Sequence, residues 1–78
     1  MKTTTTSYVP ELQVSTREYL FAHGKNPAGL GYWAFVFRSH DNKETVEFAP
    51  GTTLYAHAKK WALRRAAVMQ SVSVSVGT

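Results

Sequence analysis

A chain of 78 residues has room for one domain, and at that size only about 60% of the unfolded surface is buried, which leaves a thin margin of stability. Cysteine is absent, which excludes disulfides and thiolate metal ligands, so the fold must rest on apolar burial or on association. The net charge of +4 is confined to one part of the chain: up to residue 48, Lys2, Arg17, Lys25, Arg38 and Lys43 are balanced by Glu11, Glu18, Asp41, Glu44 and Glu47, whereas beyond it Lys59, Lys60, Arg64 and Arg65 face no acid.

Taken in chain order, residues 1–7 are threonine-rich, have almost nothing to bury and read as a disordered tail ahead of a single domain over residues 8–78. The stretch MKTTTTSY lacks the apolar core of a signal peptide, and no apolar run approaches the roughly 20 residues that span a bilayer, so a soluble cytoplasmic protein is expected. Residues 12–23, LQVSTREYLFAH, mix β-branched and aromatic residues in partial alternation and predict a first strand, clearest from Arg17 to His23. GKNPAGLG follows, a composition that predicts a loop joining two antiparallel strands. YWAFVFRS is the strongest strand signal, HDNK supplies a turn, and ETVEFA closes a hairpin. Pro50-Gly51 ends that strand, Thr52 or Thr53 is placed to cap a helix, and the alanine-rich stretch from Leu54 to Gln70 forms it. SVSVSV alternates strictly, so Val72, Val74 and Val76 face one side of a sheet and Ser71, Ser73 and Ser75 the other. The expected fold is α+β in the order β-β-β-α-β: two layers, a mostly antiparallel sheet of about four strands packed on one helix, with the helix returning the last strand beside an earlier one.

At about 100° per residue, Leu54, Ala58, Trp61, Ala62 and Met69 share one arc of the helix and form its core stripe. Arg65 falls in the same arc, so it either lays its stem along the sheet or pairs with Glu47 or Glu18. The strand from Tyr32 to Arg38 is apolar on both faces, with Trp33, Phe35 and Phe37 on one and Tyr32, Ala34 and Val36 on the other. One helix covers one face. The other requires the N-terminal segment with Tyr8, Val9 and Leu12, a second copy, or an external protein partner, which makes Tyr32, Trp33, Phe35 and Phe37 the interface candidates.

The residues that carry chemistry are sparse. His23, His40 and His57 are scattered, no acids pair at helical or tight spacing, and no nucleophile motif is present, so no metal, cofactor, small-molecule substrate or enzymatic activity is expected. HGKNPAGLG contains glycines and Lys25 but lacks the Gly-Lys-Ser/Thr ending of a phosphate loop and runs into a strand, leaving Lys25 as the tip of a mobile loop. His57, Lys60 and Arg64 lie three and four residues apart along one helix edge, with Lys59 on the opposite flank. A basic helix row is the electrostatic footprint of phosphate-backbone contact. The sequence therefore points to a non-enzymatic nucleic-acid-binding module using Lys25, His57, Lys60 and Arg64, with Arg38 and Lys43 as outlying contacts. The alternative is a protein-interaction or homodimeric module, such as an adaptor or inhibitor of a larger complex.

Overall fold

The computed structural model describes residues 12–77; the tail assigned to residues 1–7 and the part given to Tyr8 and Val9 lie outside the described residues. The protein is α+β. The chain runs through β1 (Val14–Ser15), α1 (Arg17–His23), β2 (Leu30–Gly31), β3 (Ala34–Arg38), β4 (Glu44–Phe48), β5 (Thr53–Leu54), α2 (Tyr55–Met69) and β6 (Ser73–Val76). Four strands form one sheet in the order β1-β6-β3-β4, and β2 with β5 forms a second, two-stranded sheet.

The β3–β4 hairpin is antiparallel with Val36 opposite Val46. Its turn is closed by Ser39 N–H donating to the Lys43 carbonyl at 2.9 Å, with Asn42 in the left-handed region at φ 70°. α2 then carries the chain across the sheet, and β6 inserts between β1 and β3, antiparallel to β3 and parallel to β1. The expected crossover is present.

Two elements correct the sequence reading. The stretch from Arg17 to His23 is a helix, α1, where a strand was expected; only Val14 and Ser15 are extended. Partial alternation misled, because Glu18, Leu20 and Ala22 form helix readily and Gly24 ends the turn in a left-handed conformation at φ 73°, its N–H bonding the Leu20 carbonyl. Consequently GKNPAGLG does not join antiparallel strands; it leads from α1 into β2, whose partner is β5. The cap expected at Thr52 or Thr53 is also not used. Leu54 occupies the N-cap position without a side-chain hydrogen bond, since Thr53 is held in β5.

The core lies between α2 and one face of the main sheet. Trp33, Phe35 and Phe37 from β3 and its entry join Val74 and Val76 of β6, and Phe35 is 0% exposed. Ala58, Ala62 and Ala66, four residues apart, form the buried ridge of α2. Their small side chains let the helix settle close to the sheet, while Trp61 packs at 6.2 Å from Phe35 and 6.3 Å from Phe37, ring centre to ring centre. Phe35 and Phe37 are thus core residues and not interface residues, Trp33 belongs to the core but keeps 7% exposure, and of the four candidates only Tyr32 stands largely in solvent, at 73%.

Arg65 takes the pairing role. Glu47 sits opposite Phe35 in β4, on the helix side of the edge strand, and receives Arg65 Nε–H at 2.7 Å and a terminal guanidinium N–H at 3.1 Å. The hydrogen bond from Arg65 and its charge hold the Glu47 carboxyl below the ordinary value of 4.5. A depressed carboxylate stabilises the fold fully above that ordinary value, and its contribution is lost as pH falls through the lower folded value. Denaturant midpoints measured downward from neutral pH are therefore expected to fall less in Glu47→Gln than in the parent, leaving the part of the acid dependence that belongs to Asp41, whose carboxyl is lowered by its bond from Ser39.

Tyr55 is the opposite case. Its hydroxyl is buried and has no hydrogen-bond partner among the described residues, and burial raises its pKa above 10.0. An unsatisfied buried hydroxyl costs about 1–3 kcal/mol. Tyr55→Phe keeps the ring against Trp33, at 5.0 Å and edge-on, and is expected to raise stability by about 1 kcal/mol in a urea titration. It should also remove the loss of stability that sets in as pH rises above the ordinary tyrosine value.

Candidate nucleic-acid interface

α2 contains no acidic residue. Its buried ridge of Ala58, Ala62 and Ala66 fixes the helix rotation, and at about 100° per residue this turns His57, Lys60 and Arg64 to the side directly away from the sheet. All three are exposed, and so is Lys59 on the opposite flank. The position is set by packing, since the alanines can approach the sheet and the long cationic chains cannot.

Pairing elsewhere sharpens this asymmetry. Among the described residues, two ion pairs form, Arg38 with Glu44 and Arg65 with Glu47, and Arg38 also donates to Asn42 Oδ1 at 2.8 Å. Of the four acids among the described residues, Asp41, Glu44 and Glu47 are engaged by Ser39, Arg38 and Arg65 respectively. Arg38 is occupied on the sheet face away from α2, so it is no part of the helix row.

Lys25 is exposed in the loop after α1, a separate segment from the α2 row. The loop is anchored at its far end. The Gly29 carbonyl, at a residue with φ 86°, accepts from Trp33 Nε1 at 3.1 Å and from Tyr55 N–H at 2.9 Å, and Pro27 is buried. The same glycines that resemble a flexible tip in composition serve here to fasten the loop against Trp33 and the start of α2.

The sheet face away from α2 has a different character from the one expected. Across it run Ser15, Ser75, Val36 and Val46 in one row, and Ala34 with Phe48 in another. Serines polarise the β6 half, and α1 borders the face: Glu18, Ser15, Val36 and Arg38 help line a hollow of about 230 Å³. At the other end, Leu30, Tyr32 and Phe48, 69%, 73% and 63% exposed, line one groove, while other exposed apolar residues such as Val46, Phe21 and Val68 lie outside it. Sequence reasoning did not single out Phe48 or Leu30. The signal available for Phe48 was its alternation with Glu47, which places it opposite the helix side.

Among the described residues no group of three or more His, Asp or Glu side chains converges as a metal site, and no helix is long and apolar enough to cross a membrane. Compared with protein-family models, with curated proteins and with solved structures, the chain finds no match, so its functional reading rests on this geometry.

Proposed function

We propose that this protein is a non-enzymatic binding module that docks on the phosphate backbone of nucleic acid through the outer face of α2. The observation that carries this reading is the acid-free helix whose Lys60 and Arg64, with His57 and flanking Lys59, all point to solvent while Arg38 and Arg65 are used in ion pairs. Lys25 adds a contact from its loop. Charge of this kind binds without sequence preference, and each neutralised phosphate releases condensed counterions. Association with duplex DNA, followed by fluorescence anisotropy over a salt series, should weaken along a log–log slope of about −2 to −4, at roughly 0.9 per phosphate contacted. Absence of salt-sensitive binding at low ionic strength would dismiss the reading.

A second reading has its own observation. β4 is an edge strand bearing exposed Val46 and Phe48, which suits a protein partner or a second copy of the chain. Sedimentation across a concentration series separates the two, since self-association through this edge raises the mass and phosphate binding does not.

A further inference from the structure

We infer that the groove at the Tyr32 end of the sheet is a stacking site for one unpaired base of a single-stranded nucleic acid. The inference rests on the phosphate-binding reading of α2 and adds the class of nucleic acid. The groove encloses about 460 Å³ and is walled by Tyr19, His23, Tyr32, Trp33 and Phe48. Its floor is low because Ala34 and Gly77 lie there, packed so closely that a Cβ on Gly77 would come within 3.2 Å of Ala34. That size admits a base with its sugar and is too narrow for a duplex.

Two properties favour a base over another apolar occupant. The first is rigidity: Tyr19 stacks on His23 at 4.1 Å and leans on Trp33 at 5.7 Å, and the Trp33 indole N–H is held by the Gly29 carbonyl. Rings fixed in advance lose little entropy when a base stacks on them. The second is charge complementarity. Among the described residues no carboxylate lines the groove; His23 stands in its wall, and Lys25 follows two residues later on the exposed loop, so of these residues a phosphate attached to the stacked base meets only positive or neutral ones. The basic row of α2 begins nearby, because Tyr55, the first residue of that helix, packs edge-on against Trp33. Lys60 lies about 7.5 Å further along the helix axis. Because the groove opens on the sheet face away from α2, while Lys60 and Arg64 point outward from the far side of that helix, one strand reaches both only by passing round the Tyr55 end of α2.

The test measures anisotropy of a labelled oligothymidylate and of the same strand annealed to its complement, with the parent protein, Tyr32→Ala/Phe48→Ala and Lys60→Ala/Arg64→Ala. The expected result is tighter binding of the single strand than of the duplex. The aromatic double variant should lower single-strand affinity by about fivefold to a hundredfold while leaving duplex affinity and the salt slope unchanged. Equal affinity for both forms, untouched by the aromatic variant and reduced by the basic one, overturns the groove and leaves the phosphate reading standing. No binding of either form overturns both. A second readout does not depend on the aromatic variant folding: in Trp61→Phe, Trp33 is the sole indole of the chain. Its fluorescence should be quenched by saturating oligothymidylate, and an unchanged signal under saturation overturns the proposal.

Discussion

Phe35→Ala is expected to leave the protein largely unfolded at room temperature, with a loss of about 3–5 kcal/mol. Phe35 is completely buried, packs against Trp61 at 6.2 Å and Tyr55 at 6.4 Å, and occupies the central part of β3, which is paired on both sides. Truncation removes the apolar area and leaves a void between alanine-lined helix and sheet that neither can readily close. A chain of 78 residues holds roughly 4–12 kcal/mol in total, with small domains toward the lower end, so this single change consumes most of the margin. Phe48→Ala provides the contrast. The same residue type on the next strand, 63% exposed on the other face, is expected to cost no more than about 1 kcal/mol. Urea denaturation followed by circular dichroism measures both. Comparable losses at the two positions would mean that both faces of the sheet are buried.

Lys60→Ala/Arg64→Ala is expected to remove most of the affinity for nucleic acid at low salt and to lower the log–log salt slope by about 2. Both side chains are exposed on the face of α2 opposite its buried alanines, and alanine is the strongest helix former, so the variant should fold at least as well as the parent. Arg38 offers an internal control, because it is already engaged by Glu44 and Asn42. Arg38→Ala is expected to leave the slope unchanged. A slope that falls in Arg38→Ala and is unchanged in the α2 variant would place the contacts on the sheet rather than on α2.

Local pattern was enough for the parts of the fold whose side chains repeat with one clear period. The alternation of β6, the bulky run of β3, the Asn42 turn and the alanine-rich helix each satisfy a local rule that the tertiary structure does not oppose. The pairing of Arg65 with Glu47 or Glu18 was likewise foreseeable, since a cation within an apolar arc requires a carboxylate in reach, and the structure selects Glu47. The segment from Arg17 to His23 was different. Its residues suit either period, it buries none of its side chains fully, and what settles it as a helix is a C-terminal glycine turn together with a β1 only two residues long.

By itself, then, the sequence established an acid-free cationic helix, a sheet richer in apolar residues than one helix can cover, and the lack of any cysteine support. Tertiary structure decided which side of β3 is core, because the alanine ridge of α2 packs on Trp33, Phe35 and Phe37 and thereby leaves Tyr32, Ala34 and Val36 on the other side. It also decided that the glycine-rich loop is fastened to Trp33 and Tyr55, and that Tyr19, His23, Tyr32 and Phe48, far apart along the chain, line one groove. The physical reason is the same in each case: periodicity fixes which residues share a face, whereas the choice of which face is covered depends on long-range packing that no local stretch contains.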